Sequence, residues 1–466
     1  MGKTEVAVVG AGPAGIHAAV AAAELGVEVT LIDSYAQAGG QYFKQLPGVF
    51  QAAKGDKRQR EAQKLFKQLQ HPDITHLPNT RVWNIAPDWR LDLVGSTAPR
   101  QLEAEAVVLA TGAYDRPAAF PGWTLPGVMG VGAAQHLVKI QRVLPGRKIL
   151  VAGSGPLLLA LGAVLVWAGA EVVALAEGSR GLTSFKPGRM AKMWGQGARL
   201  REGLDYIRAL RGANVPYRRG WGVVRALGEE RVSGAVLARL DEEWRPVPGS
   251  EEAVSCDTLC IGYGLLPETT LGRLAGASHV YRPRLGGWVP ERDDRMQSSL
   301  PGLYIAGDGA GIGGAAQSAV EGRIAGMAAG YQVAGDYFSD RNLKRWMATE
   351  QKRLTKEQGF QKLFGELFTP GPGLDMLADE ETIICRCEGV RLPAVKDAVD
   401  MGAETLGAVK GLTRAGMGRC QGRICGALLA GQVARLSGKS VSEVGNFTPR
   451  PPVGPLDIEG LSSSEE

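Results

Sequence analysis

The 466-residue chain lacks most of the features from which a function is commonly read. Histidine is scarce: the five residues, at 17, 71, 76, 136 and 279, are scattered and suggest no acid–base pair. Excess charge is small. Its 53 basic and 48 acidic residues leave +5, too little for a nucleic-acid-binding surface. No signal peptide is visible, because the apolar N-terminal run begins as a strand and carries no cleavage site. The expected location is therefore cytoplasmic, at most peripheral on the inner membrane face. Long apolar runs are absent but for Leu157 to Ala170, which follows a glycine-rich turn and stops at Glu171. It reads as a buried helix, and no transmembrane segment is expected. Cysteine is limited to positions 256, 260, 385, 387, 420 and 425, and none forms a Cys-x-x-Cys redox pair. Without a secretory context, the last four read as metal ligands and not as disulfides. Composition is otherwise that of a soluble globular protein, 44% hydrophobic and 22% charged, with room for two or three domains.

Glycine, in contrast, is abundant at 65 residues, which suits close backbone approaches to phosphate. Residues 5–9 form an apolar strand, Gly10-Ala-Gly-Pro-Ala-Gly15 a turn, then comes an alanine-rich helix and a second strand ending at Asp33. In such a βαβ unit the first glycine allows the turn and the second admits a pyrophosphate. The third lets helix and strand pack closely, and the acid takes ribose hydroxyls. Gly10, Gly12, Pro13, Ala14, Gly15 and Asp33 are thus candidate nucleotide ligands.

The plan returns at Lys148–Ala152, with Gly153-Ser-Gly-Pro-Leu-Leu158, an apolar helix and a strand ending at Glu177. Leu158 replaces the third glycine, so this helix is expected to stand further off its strand. Gly153, Gly155 and Glu177 are candidates for an adenine nucleotide such as ATP or NAD. Functional NAD(P)H binding and an empty relic are the other readings.

Three further elements accompany the first unit: Gly39-Gly40-Gln41 just past the acid, the small turn Ala110-Thr111-Gly112, and Gly307-Asp308 after a strand. With the fingerprint they make residues 1–330 resemble the two-dinucleotide-binding flavoproteins, which include thioredoxin and glutathione reductases. That resemblance implies FAD, with Gly40, Gln41, Ala110, Thr111, Gly112, Gly307 and Asp308 among its contacts. Cys256 and Cys260, with three residues between them on an apolar strand, read as packing and not as a redox dithiol.

Near the C-terminus, Cys385-Arg-Cys387 is followed after 32 residues by Cys420-Gln-Gly-Arg-Ile-Cys425. Four thiolates suit a [2Fe-2S] cluster, and they also suit structural zinc. Cys-x-Cys is tight for a zinc knuckle, and Arg386, Arg414, Arg419 and Arg423 crowd the cysteines, so the balance favours iron–sulfur. The module resembles the bacterioferritin-associated ferredoxin type, although its second pair is spaced by four residues where that type has two. The phrase Lys410 to Arg423, with Leu125-Pro-Gly-Val-Met129, Ala133-Ala-Gln-His-Leu137 and Phe447-Thr-Pro-Arg-Pro-Pro-Val453, resembles the larger flavin subunits of heteromeric amino-acid dehydrogenases.

The expected fold is α/β, with two dinucleotide-binding domains of the Rossmann-like glutathione/thioredoxin reductase type and a small helical [2Fe-2S] module. Residues 1–118 and 286–330 are assigned to the FAD domain, 119–285 to the second domain, 331–380 to a helical linker, 381–445 to the module and 446–466 to a proline-rich tail. The resemblance implies a smaller FAD-dependent subunit that oxidises the substrate, an FMN near the subunit contact, and an acceptor that is a quinone, a dye or ferredoxin-like. No side chain is assigned to catalysis. The alternatives are a self-sufficient NAD(P)H-dependent reductase of a ferredoxin-like acceptor, or a relic acting as a scaffold. The tail segment Pro449–Pro455 cannot sit in a central strand; it is expected as an extended arm on a partner or as an unstructured tip.

Overall fold

The computed structural model describes residues 2–47, 49–50, 57–95, 98–179, 197–335 and 340–457. They form two compact units, the first from residues 1–114, 266–361 and 448–466, the second from residues 115–265 and 362–447.

The first unit is built on a seven-stranded sheet. Strands β1 (Gly2–Val9), β2 (Val29–Ile32), β3 (Ile74–Leu77), β4 (Arg81–Ala86), β5 (Arg90–Val94) and β6 (Gln101–Leu109) lie in the order β3-β2-β1-β6-β5-β4. β1 runs parallel to β2 and β6, whereas β5 is antiparallel to the first half of β6. The second half of β6 pairs in parallel with a late strand, β19 (Leu303–Ile305). Val6, Ala7 and Val8 are fully buried, as expected for a central parallel strand covered on both faces.

Helix α1 (Pro13–Ala23) opens with proline at its first turn, where the missing N–H costs nothing. It packs against α7 (Gly314–Ala334), whose Gly322 and Gly326 lie against its backbone. A Cβ on Gly322 or Gly326 would stand 2.0 Å from the carbonyl oxygen of Ala14 or Ala18. α2 (Lys57–Gln68) and a hairpin of β17 (His279–Arg282) and β18 (Gly287–Pro290) complete this unit, with the short α6 (Thr270–Leu274). Strands β7 (Ala113–Asp115) and β16 (Leu265–Pro267) carry the chain out of the first unit and back.

The second unit repeats the parallel plan with five strands. These are β8 (Val128–Gly130), β9 (Lys148–Gly153), β10 (Glu171–Glu177), β11 (Tyr217–Arg219) and β15 (Thr258–Gly262), in the order β11-β10-β9-β15-β8. β12 (Trp221–Leu227), β13 (Gly234–Arg239) and β14 (Glu252–Ser255) form an antiparallel sheet beside it. Helices α3 (Val131–His136), α4 (Pro156–Trp167) and α5 (Gly197–Gly212) belong here. α4 is the apolar run noted above. It is buried through Leu158, Leu161 and Leu165, and no helix among the described residues is long and apolar enough to cross a membrane.

The cysteine-bearing residues belong to this second unit. After α8 (Asp340–Phe368), strands β20 (Ile383–Cys385) and β21 (Val390–Arg391) and helices α9 (Leu392–Asp400), α10 (Leu406–Thr413), α11 (Cys425–Ser437) and α12 (Val441–Val444) bury Val395, Leu429 and Val433 in one core with Phe120 and Leu259. The Trp123 indole N–H donates to the Ile383 carbonyl at 2.7 Å. The proline segment differs from one of its two expectations, the unstructured tip. Val453 donates its N–H to the Trp83 carbonyl at 2.9 Å and buries its side chain in the first unit's core, and Arg81 donates to the Pro455 carbonyl. These residues are bound by their own chain.

Candidate functional site

Several stretches far apart in sequence meet at the carboxyl end of β1. Gly10 has φ of 103°, and a Cβ there would stand 2.4 Å from the Ala110 carbonyl oxygen. A Cβ on Gly15 would stand 1.7 Å from the Gly10 oxygen, so this glycine is what lets α1 touch the turn. Gly12 is different, because the nearest atom to its Cβ position is the Gly40 Cα, 3.9 Å away. Gly10, Gly12 and Pro13 all remain partly exposed, so the turn is open on that side.

The downstream elements close round it. Gly39 donates to the Ala11 carbonyl at 2.7 Å, and Ala110 donates to Val9 at 2.8 Å. Thr111 donates its hydroxyl to the Glu268 carbonyl at 2.6 Å, and Gly112 accepts from the Glu268 N–H. The Cβ positions of Gly307 and Gly309 lie 2.7 Å from Ala14 Cβ and 2.8 Å from Thr111 Oγ1. Gln41 lies furthest out, exposed and bonded to the Tyr35 hydroxyl at 3.0 Å.

Both acids are held by backbone. Asp33 is buried and accepts the N–H of Ala11 at 3.0 Å and of Tyr35 at 2.9 Å. Burial raises its pKa against those bonds. Asp308 accepts Gly313 and Gly314 at 2.9 and 2.8 Å, which fixes the N-terminus of α7; burial raises it as well.

Sequence reasoning missed the support beneath Gly307. Glu321 is fully buried, bonds Arg292 through both oxygens, and accepts the Gly307 N–H at 2.9 Å. Gln317 donates to it at 2.9 Å. The available signal was the repeat Gly322, Gly326 and Gly330, which marks the face of α7 where another backbone must come close. Among the described residues, two buried polar atoms here have no hydrogen-bond partner, Gln317 Oε1 and His76 Nε2 on the strand beside Asp33. A flavin dinucleotide, with ribose hydroxyls and a polar ring edge, has the donors and acceptors to satisfy such atoms, so the residues fit FAD.

The second turn is also tied to its acid, here through the N–H of the second glycine and not of the residue between the two. Glu177 accepts Gly155 N–H at 3.0 Å and Ser179 N–H at 3.1 Å, and burial lifts its pKa to about 7. A Cβ on Gly153 would stand 1.9 Å from the Gly262 carbonyl oxygen. Leu158 is fully buried at the third-glycine position, and the bare Gly262 faces its side chain and that of Val131. Here Gly153, Ser154 and Gly155 are all buried.

The four C-terminal cysteines lie within electrostatic reach of one another, Cys425 beside Cys385 and Cys420, and Cys387 beside Cys420 and Cys385. Cys385 and Cys425 are buried, Cys420 half-buried and Cys387 exposed. Gly416 N–H donates to the Cys385 sulfur at 3.5 Å. The Cys425 thiol, then backbone N–H groups, hold the Cys385 pKa down to about 5, while Cys425 is pushed up. Of the arginines, Arg414 pairs with Glu388 at 3.1 Å and Arg423 donates to the Cys420 carbonyl; Arg386 and Arg419 are exposed. Phe447 lies across this loop: Cβ positions on Gly416 and Gly422 fall 2.6 and 2.4 Å from its ring. Among the described residues no group of three or more His, Cys, Asp or Glu is arranged to hold a metal ion. Cys256 and Cys260 are buried, with pKa values raised to about 11 and about 12 by burial.

The model of the family described as Pyridine nucleotide-disulphide oxidoreductase matches residues 4–322. The chain belongs to that family. This oxidoreductase is of the FAD-dependent kind, and residues 380–464 match the Sarcosine oxidase A3 domain. It is 33% identical to hydrogen cyanide synthase subunit HcnB of Pseudomonas aeruginosa, over 98% of each chain. It is 32% identical to the A-subunit of opine oxidase from Rhizobium meliloti, again over 98% of each. Among solved structures it shares its fold with L-proline dehydrogenase from P. horikoshii, with a TM-score of 0.69 at 22% identity, covering 99% of this chain and 79% of that one. The oxidoreductase thus groups with the larger flavin subunits of heteromeric oxidases.

Proposed function

We propose that this chain is the electron-relay subunit of a heteromeric amino-acid dehydrogenase. A smaller FAD-dependent subunit oxidises the substrate C–N bond, for an opine, proline, hydroxyproline or glycine-like substrate. A quinone, a dye or a ferredoxin-like protein takes the electrons. The observation that carries this reading is end-to-end similarity to two proteins named as subunits of such oxidases.

The chain's own residues give each carrier a place. The open side of Gly12 faces Gly40 and leaves room for a pyrophosphate at the N-terminus of α1. Asp33 holds the turn from below and is placed for a ribose. Asp308 fixes the start of α7, and Glu321 fixes Gly307. Four cysteines within reach of one another, with a Cys-x-Cys spacing tight for a zinc knuckle, support a two-iron cluster over a single zinc ion. When bound, FAD supplies two-electron acceptance and the cluster one-electron transfer. Phe447 and the buried pair Cys385 and Cys425 keep water from one side of that site.

Co-expression with the smaller subunit should give a stable complex with dye-linked dehydrogenase activity. The chain purified anaerobically should carry FAD with about two irons and two acid-labile sulfides. Turnover of an amino acid by the isolated chain, on the order of 1–1000 per second, overturns the relay reading; stoichiometric zinc overturns the cluster.

A further inference from the structure

We propose that the second glycine turn is occupied by the chain itself, by the segment Phe368–Gly373, and that nicotinamide coenzymes are thereby excluded as electron donors. The two glycine turns serve as each other's control. Each acid accepts two backbone N–H groups, Asp33 from Ala11 and Tyr35 and Glu177 from Gly155 and Ser179, so both turns are tied to their acid. They differ in what covers them. At the first, Gly10 and Gly12 stay partly exposed; at the second, the corresponding Gly153 and Gly155 are buried by protein, and only Pro156 at the helix start remains exposed.

The cover is the end of α8 and the residues just beyond it. Ser154, between the two glycines, donates its hydroxyl to the Phe368 carbonyl at 2.8 Å. The Cβ position of Gly155 points at Phe368 Cβ, 4.0 Å away, where that of Gly12 points at the turn glycine Gly40. The segment is pinned at its far end too, because Gly373 donates to the Glu243 carbonyl at 2.8 Å. Cβ positions on Gly371 and Gly373 would strike Trp244 at 2.7 and 2.4 Å, so only glycine fits at either place.

Trp244 completes the closure. Its indole lies against Gly178, where a Cβ would come within 2.5 Å of the ring, directly after the acid that a ribose would need. The residue is 8% exposed and held at φ of 69°, a conformation uncommon for a bulky side chain. Asp241 sustains it by accepting the N–H groups of Glu243 and Arg245, both at 2.8 Å. A strained tryptophan, two obligatory glycines and a serine latch therefore converge where the coenzyme would lie. The second unit keeps the nucleotide-binding frame and uses it to seat the chain that leads to the cysteines.

This inference rests on packing within one unit and not on the relay reading; its test is a binding measurement, so the two fail separately. Titration of the intact chain with NADH, NADPH or ATP, followed by calorimetry and hydrogen exchange, should show no saturable binding up to about 1 mM, the weak end of the affinity scale, and unchanged exchange in residues 153–158. Ser154→Ala, which removes the latch, should raise exchange of residues 368–373 severalfold. Micromolar binding by the unaltered chain with protection of residues 153–158 overturns the proposal, as does an unchanged exchange rate of residues 368–373 in Ser154→Ala. Saturable NADH binding that leaves residues 153–158 unprotected overturns the exclusion of these donors if NADH then bleaches the flavin, and supports the closed turn if it does not.

Discussion

Arg292 grips Glu321 through both terminal nitrogens, at 2.9 and 2.7 Å, and the same carboxylate accepts the N–H of Gly307. With Glu321 fully buried, removing the arginine strands a charge. Arg292→Leu should therefore destabilise the protein by about 3–5 kcal/mol and lower flavin content. The pair Arg292→Met with Glu321→Met should recover much of the stability but not the Gly307 anchor. Thermal melting and flavin absorbance per chain separate the two effects.

Gly12 and Gly15 make opposite predictions from one motif. At Gly15 a methyl group would lie 1.7 Å from a carbonyl oxygen, so Gly15→Ala should fail to fold or melt far below the wild type. At Gly12 the nearest atom is 3.9 Å away, so Gly12→Ala should keep the wild-type circular dichroism and melting temperature yet purify with little FAD. A folded Gly12→Ala protein with full flavin would refute the assignment of this turn to the pyrophosphate.

Phe447 packs on Gly416 and Gly422, and the Lys410 ammonium stands 5.5 Å from its ring centre. Phe447→Ala should cost about 3–5 kcal/mol, the usual range for a buried phenylalanine, and should loosen the loop that carries Cys420. Iron and sulfide content should fall in this variant and be lost in Cys385→Ser. In Cys256→Ser both should be retained, because Cys256 is buried in the hydrophobic core of its unit and is expected to serve packing. Loss of iron in Cys256→Ser with iron retained in Cys385→Ser would reverse the assignment.

Glu177 predicts a pH dependence with a definite sign. Burial raises its pKa from 4.5 to about 7, so the folded state favours the protonated carboxyl. Its contribution to stability is complete below 4.5 and is lost as pH rises through about 7. Glu177→Gln removes this dependence. The melting temperature of the wild type minus that of the variant should fall across this window, and a flat difference would show that Glu177 ionises freely in the fold.

The first βαβ unit was legible because its constraints are local: Gly10, Gly12 and Gly15 are fixed by one turn, and the turn, strand and acid lie within a few dozen residues. Gly307-Asp308 was legible only through resemblance, since nothing near it in sequence announces Ala14 or Thr111 as neighbours. Arg292 and Glu321 were not legible, because a buried ion pair between a loop and a helix leaves no periodic trace. Trp244 and Phe368 were hidden for a related reason. Their meaning depends on a chain crossing between residues more than a hundred positions apart, and the glycines at 371 and 373 fell inside the stretch assigned as a linker. The attachment of the tail to its own chain was hidden because a proline-rich segment was judged by its inability to form a central strand. Val453 needs only one edge carbonyl, that of Trp83.

The contact of α1 with α7 has a consequence for how the flavin site is loaded. Because Gly322 and Gly326 bring one backbone against the other with no side chain between, the two helices have no compressible layer along which to slide. The turn that starts α1 and the Asp308 loop that starts α7 thus behave as one rigid fixture. Little ordering remains to be done when a ligand arrives. The apoprotein should keep this half of the molecule folded, and FAD added to it should go in without a slow refolding phase.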